Sequence, residues 1–311
     1  MSLLVIGTMA FDDLETPFGK AEMIIGGAGT YICWAASYFL EHQRIVSVVG
    51  DDFPAAEMDA LRERGVNMDG VQIKEGEKSF YWAGKYHDDL NGRDTLATEL
   101  NVLADFNPVL PESYKDSQYV MLGNLTPAIQ MQVIQQMSDK PRLFVMDTMN
   151  YWMDTAWDDL MEVLKHIDVL TINDEEARQM SGEHSLVKAA RKIRALGPKY
   201  LVIKKGEHGA LLFHGEETFY VPAMPLEEVV DPTGAGDTFA GGFLGYLART
   251  NDLSLENMKR AVVYGSAMAS FTVEKFGLGQ LKNLSLKDIE TRIEKFVDLT
   301  AFDIRFGEDF G

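Results

Sequence analysis

Short apolar runs alternate along this chain with longer stretches that carry apolar residues at helical spacing. That alternation predicts a mostly parallel β-sheet with helices on both faces, because parallel neighbours need a crossover that returns each strand to the same edge. Strands are expected at 3–7, 44–49, 119–122, 143–147, 169–172 and 201–205. Helices are expected at 28–40, 54–64, 127–137, 155–166, 174–180 and 186–196. Residues 210–213 and 218–221 read as an edge hairpin. The last third reads as helices at 237–249, 255–273 and 286–299. Two β segments interrupt the pattern, one at 22–25 and one running from 71–73 through 79–87 toward 99–103. The second is aromatic on both faces at Phe80-Tyr81-Trp82-Ala83-Gly84-Lys85-Tyr86, so it suits a small sheet that covers something and also meets a partner. The whole of 1–311 reads as one α/β domain carrying a β lid formed by about 14–25 and 71–103.

Composition narrows the partners. With 46% apolar and 25% charged residues over 311 positions, the chain has the profile of a folded globular protein. Its net charge of −19 repels nucleic acid and anionic membrane surfaces, which need basic patches. An anionic nucleotide is still admissible where backbone N–H groups and a cation gather locally. The one cysteine, Cys33, forbids an internal disulfide and sits in an apolar helical stretch. His42, His87, His166, His184, His208 and His214 show no metal-ligand spacing. The apolar start is too short and too poorly flanked for a signal peptide, and no run is long enough to span a bilayer. A cytoplasmic protein is expected.

The densest chemical signal is Asp231-Pro232-Thr233-Gly234-Ala235-Gly236-Asp237. Apolar residues at 239, 240, 243, 244 and 247 follow on one helical face, so a Gly-Ala-Gly loop opens a helix. Free N–H groups and the helix dipole favour an anion there. Small residues at Gly234, Ala235 and Gly236 let a phosphate approach the backbone. An Asp in the first turn can then take a proton from an attacking hydroxyl while the N–H groups meet charge on a transferred phosphoryl group. The bare spacing Gly-x-Gly-Asp is equally compatible with Asp237 acting only as a helix cap.

The stretch from Asp231 to Leu244 resembles the second signature of the PfkB carbohydrate kinases, which have the ribokinase-like fold. The first strand, the Gly26-Gly27 turn, Val49-Gly50-Asp51-Asp52 and the β segments also fall where that family has them, so the resemblance covers essentially the whole chain. It implies a sheet-and-lid architecture, ATP with Mg²⁺, and Asp237 as catalytic base, with Asp231 and Thr233 beside the nucleotide. No Walker A pattern occurs.

The resemblance also implies roles elsewhere. Asn173 and Glu176 match an Asn-x-x-Glu motif tied to phosphate and Mg²⁺, although the same residues suit a helix N-cap. Lys204 and Gly206 fall in a turn beside the nucleotide. The stretch from Ala267 to Gly277 resembles the adenine-side wall, and some relatives bind a monovalent cation nearby. Asp12 falls where the family grips substrate hydroxyls, with Gly26 and Gly27 beside it. Asp147 and Asn150 end a central strand and could point toward substrate. Arg93 in the lid could meet an acidic or phosphorylated substrate, or simply pair with Asp94. Two positions depart from the pattern: Tyr31 stands where the family has a sugar-binding Asn, and no Asn stands near Ala10. The expected reaction is therefore ATP-dependent phosphorylation of a hydroxyl on a small sugar or sugar-like molecule. A nucleoside kinase is the alternative, and a non-catalytic sugar-binding sensor a third reading. The aromatic lid faces suggest a homodimer through the lid.

Overall fold

A computed structural model of the chain describes residues 1–90 and 92–303. Asn91 and residues 304–311 lie outside them. The expected alternation is present. Strands β1 (Leu3–Ile6), β4 (Gln43–Gly50), β5 (Val66–Lys74), β8 (Tyr119–Leu122), β9 (Leu143–Asp147), β10 (Val169–Asn173), β11 (Tyr200–Lys204), β12 (Ala210–His214) and β13 (Glu217–Val221) form one sheet. Its order is β13-β12-β11-β10-β9-β8-β1-β4-β5. From β11 to β5 every pairing is parallel, and the hairpin β12–β13 closes one edge antiparallel. Strands such as Tyr119–Leu122 are buried along their whole length, which is why they read as continuous apolar runs rather than alternating ones.

The two faces have separate cores. On one face Ile32, Phe243, Leu244, Met258 and Val262 pack with Val5 and Met121, bringing together helices α1 (Ala28–Ala36), α8 (Ala235–Thr250) and α9 (Leu255–Thr272). On the other, Ile129, Leu160, Ala177 and Ile193 pack against Leu4, Phe144 and Leu170. They come from α3 (Pro127–Gln136), α5 (Trp157–Leu164), α6 (Asp174–Ser181) and α7 (Leu186–Arg194). The expected helix at 155–166 begins earlier and is broken at Ala156 into α4 (Asn150–Thr155) and α5. The remaining helices are α2 (Ala55–Glu63) and α10 (Leu286–Thr300).

The crossing of α1 and α8 is unusually close. A Cβ on Gly241 would lie 2.4 Å from the Ile32 carbonyl oxygen, and one on Gly245 would lie 2.9 Å from Ala36 Cα. Glycines four apart on one helical face permit this backbone approach, and they seat the start of α8 over the sheet.

The lid is a separate four-stranded sheet of β2 (Ala10–Thr16), β3 (Gly19–Gly26), β6 (Phe80–Tyr86) and β7 (Arg93–Glu99), in the order β3-β2-β6-β7. Its bounds correct the expected 14–25 and 71–103. Residues 71–74 continue β5 and pair with β4, Val71 lying opposite Ser47. Past β7, Val102 is buried in the core of the main body. The lid's first strand begins at Ala10, so Asp12 rides on the lid itself.

Candidate active site

The chain starts at β1, builds outward to β4 and β5, then returns to add β8 and its successors on the other side. Such a reversal leaves a crevice at the carboxyl ends of the strands, where α/β sheets hold ligands. Register brings three polar strand ends to this edge. Asp147 lies opposite Thr171, and Asn173 lies opposite Lys204.

The 231–237 loop is braced from within. Asp231 is fully buried. Its Oδ1 accepts the Thr233 N–H at 2.9 Å and its Oδ2 accepts the Gly277 N–H at 3.1 Å. Its side chain is thus spent on holding two turns together. Asp231, expected beside the nucleotide, acts within the chain as a brace, and Gly277, with φ +57°, is the other end of that brace. Gly234 adopts φ +74° and serves as N-cap of α8, with no side chain capping the helix. Asp237 is therefore not the cap, and the first-turn donors are left for a ligand. One of the three expected anion-hole residues is used internally, since the Ala235 N–H donates to the Pro232 carbonyl at 3.2 Å. The Gly236 and Asp237 N–H groups, at the second and third helical positions, remain.

Around Asp237 the strand ends supply an ionic cluster. Lys204 Nζ donates to Asp147 Oδ2 at 2.9 Å, and both side chains are largely buried. The same ammonium would lie 3.1 Å from a Cβ placed on Gly236, so it stands against the anion loop. Burial pulls against the Lys204 charge, but Asp147 and Glu176 outweigh it and hold its pKa above the ordinary value. Asp237 goes the other way. Burial, and then the charge on Asp147, push its pKa up to about 7, while Lys204 and Arg93 restrain the rise. A carboxylate at that value is matched to a proton-accepting task near neutral pH.

Asn173 and Glu176 form a reciprocal capping box. The Glu176 N–H donates to Asn173 Oδ1 at 2.8 Å and the Asn173 N–H donates to Glu176 Oε2 at 2.7 Å. The second Glu176 oxygen is not used in the box. Burial, then Asp147, raise the Glu176 pKa to about 7. Among the described residues no three His, Cys, Asp or Glu side chains form a metal cage. Gly206 is exposed in the turn after β11, with φ +52°.

The other side of the crevice carries residues of the small sheet. Asp12 on β2 is buried, and its carboxylate occupies the space where Gly26 would carry a Cβ, with Oδ2 only 1.9 Å from that position. Only glycine fits there. Gly27, with φ +92°, also packs closely, a Cβ there lying 2.5 Å from the Thr8 carbonyl oxygen. Burial, then Asp231 and Asp237, push the Asp12 pKa to about 7, so the two halves of the site feel each other's charge. The neighbouring Asp13 is held within the small sheet: Tyr81 Oη donates to its Oδ2 at 2.7 Å and the Met23 N–H to its Oδ1 at 2.6 Å.

Tyr31 is placed differently from expectation. It is 1% exposed, and its ring lies 2.5 Å from where a Cβ on Gly234 would sit. It forms the floor beneath the anion loop, not an open wall of the acceptor pocket, and its hydroxyl has no hydrogen-bond partner among the described residues. Two contacts were not legible in the sequence. Tyr86 Oη on the lid shares a hydrogen bond with Thr233 Oγ1 at 3.0 Å, joining lid to anion loop across 147 residues. Arg93 on β7 lies over Trp82 and contributes positive charge at Glu176 and Asp237, while Asp94 pairs with His87. The surface pair of Arg93 with Asp94 is thus absent.

A carboxylate beside open helix-start N–H groups, a fixed lysine and a second carboxylate on the small sheet are an arrangement suited to phosphoryl transfer to a hydroxyl. The profile of the pfkB family carbohydrate kinases matches residues 5–283, and the chain belongs to that family. It is 30% identical to a cytidine kinase of Thermococcus kodakarensis over 282 residues, covering 89% of this chain and 98% of that one. It is 26% identical to a ribokinase of Lactococcus lactis, over 90% and 91% of the two chains. Among solved structures, the nucleoside kinase of Methanocaldococcus jannaschii, an archaeal member of the ribokinase family, superposes with a TM-score of 0.74 at 20% identity, covering 94% and 98% of the chains. A putative ribokinase II from E. coli, in complex with ATP and Mg²⁺, gives 0.78 at 20%, covering 94% and 99%. The protein is a sugar or nucleoside kinase of the ribokinase fold. No helix among the described residues is long and apolar enough to cross a membrane.

Three carboxyls raised to about 7, the buried Asp12 and Glu176 and the half-buried Asp237, have a cost in stability. A raised carboxyl binds its proton more tightly folded than unfolded, so its contribution favours the fold at low pH. That contribution is lost as pH climbs from about 4 toward 7. Asp237→Asn removes one such group. It should raise the Tm of the ligand-free protein at about pH 8, by the equivalent of ~1–2 kcal/mol after screening, and do little at about pH 5. Scanning calorimetry at the two pH values checks this, and equal Tm changes at both would contradict it.

Proposed function

We propose that the chain transfers the γ-phosphoryl group of ATP to a hydroxyl on the sugar of a nucleoside. Asp237 takes the hydroxyl proton, the acceptor oxygen bonds to the γ-phosphorus, and the bond from that phosphorus to the β-bridging oxygen breaks as ADP leaves. The Gly236 and Asp237 N–H groups and the Lys204 ammonium meet charge on the transferred group. Asp12 accepts hydrogen bonds from other hydroxyls of the acceptor. The contact of Tyr86 with Thr233 ties the lid to the loop, and closure of the lid over bound substrates would exclude water. The observation that carries the reading is the placement of Asp237 between a donor-rich helix start and the lid carboxylate Asp12.

The residues also suit Mg²⁺. Glu176 is a hard oxygen donor with one oxygen outside its capping box, and the absence of a three-carboxylate cage among the described residues fits an ion that keeps waters and phosphate oxygens as most of its ligands. When bound, Mg²⁺ supplies charge neutralisation on the phosphates.

A nucleoside is preferred to a free sugar because the cytidine kinase relative matches over nearly its full length. The ribokinase relative favours the free-sugar reading. A coupled ADP-release assay across ribose, other free sugars and purine and pyrimidine nucleosides separates them. Faster turnover of a free sugar than of every nucleoside overturns the nucleoside assignment, and tight acceptor binding with no phosphorylation supports a sensor instead.

A homodimer through the lid belongs to the same reading. It is supported by Phe18, Met23 and Leu96, all more than half exposed on the lid. Light scattering at micromolar concentration should give twice the chain mass, and a monomer mass counts against it.

A further inference from the structure

The ion pair between Asp147 and Lys204 is larger than structural need explains. It links the ends of β9 and β11, which are not neighbours, since β10 runs between them. Burying a lysine and a carboxylate is costly, and an apolar pair would serve packing at least as well. The pair is also held in one orientation. Asp147 Oδ1 accepts its neighbour's Thr148 N–H at 2.8 Å, which leaves Oδ2 for Lys204 at 2.9 Å. The Asp147 carbonyl is fastened by Gln130 Nε2 at 3.0 Å, and the same amide group donates to the Gly123 carbonyl at 2.9 Å. Gln130 is itself fully buried. The result is an ammonium fixed against Gly236, the residue whose N–H begins the anion site.

We propose that Asp147 is a positioning residue that holds the Lys204 ammonium at the anion loop, so that the phosphoryl group in transfer meets a preplaced positive charge. The idea rests on the phosphotransfer reading above. A long lysine without this partner would populate several rotamers and follow the phosphate of the bound nucleotide instead of the oxygens that gain charge in the transition state. Asp147 also faces the base. The charged groups acting on Asp237 are Asp147 from β9, Lys204 from β11 and Arg93 from β7, and Asp12 from β2 feels the Asp237 charge. Tyr31 from α1 feels the charge of Asp237 in turn.

The test uses the full chain and three variants. Asp147→Asn should lower kcat roughly 100-fold, leave the acceptor KM within a few-fold, and move the acid limb of the kcat–pH profile to lower pH. The limb moves down because the base loses a like charge and Lys204 is freed to pair with it. Asp147→Asn strands a buried ammonium and could impair folding, so Asp147→Asn/Lys204→Met removes both charges. That double variant should regain a wild-type Tm and still lose activity to the same degree. Recovery of kcat in the double variant shows the pair to be purely structural and overturns the proposal. So does a pH profile of Asp147→Asn that superimposes on wild type with kcat within twofold. Asp237→Asn is the control: if wild type phosphorylates an acceptor and this variant does not, the phosphotransfer reading stands whatever Asp147 proves to do.

Discussion

Asp237→Asn should reduce kcat by about 10³-fold, the range expected when a positioned general base is removed, while the affinity for an ATP analogue changes by no more than a few-fold. The two quantities separate because they rest on different atoms. In the proposed reaction the base is a side chain, whereas the phosphates would be met by backbone N–H groups at the start of α8 and by Lys204. An amide is nearly isosteric with the carboxylate and cannot accept the hydroxyl proton. Removing the charge also relieves repulsion with Asp147 and Asp12, so the variant should fold at least as well as wild type. Coupled turnover measurements, with calorimetric titration of a non-hydrolysable analogue, check both halves. Turnover above a tenth of wild type would falsify the base assignment.

The second large effect is expected at Gly234→Ala, a change of one methyl group. Gly234 sits at φ +74°, a conformation that costs a non-glycine residue on the order of 1–3 kcal/mol. The new Cβ would also stand 2.5 Å from the Tyr31 ring, well inside contact distance. Tyr31 cannot swing aside, because it is buried in the core shared by α1 and α8. The loop must therefore move, and its two free N–H groups move with it. The KM for ATP should rise at least ~10-fold, with a loss of several degrees in Tm. Gly234→Ala/Tyr31→Ala removes the clash but not the φ strain, and it opens a cavity, so it should recover ATP affinity only in part. An unchanged KM for ATP in Gly234→Ala would mean that the loop geometry does not set nucleotide binding.

The sheet was largely readable from the chain, because strands buried on both faces must be apolar throughout. Residues 119–122 are such a run, and they form β8 without adjustment. The lid boundary was harder. From Val66 to Gly70 the burial of β5 alternates, but from Val71 onward it is mixed, so nothing local shows whether 71–74 continue beside β4 or turn into the lid. Pairing with β4 decides it. Aromatic residues at 80–86 signalled a covering sheet, yet the bond from Tyr86 to Thr233 has no local signature.

By itself the sequence determined the parallel sheet, a helix opened by the Gly234-Ala235-Gly236 loop, and an Asp in its first turn, although it set the helix start at 237 where α8 begins at Ala235. Each depends on near neighbours: apolar periodicity, small residues in a loop, and donors left open at a helix start. Only the tertiary structure decided what surrounds that Asp. It turned Asp231 inward as a brace, slid Tyr31 beneath Gly234 as a floor, and set Lys204 between Asp147 and the anion loop. Those outcomes join residues far apart in the chain through packing and charge balance, and they exist only once the strand ends and the lid are brought to one crevice.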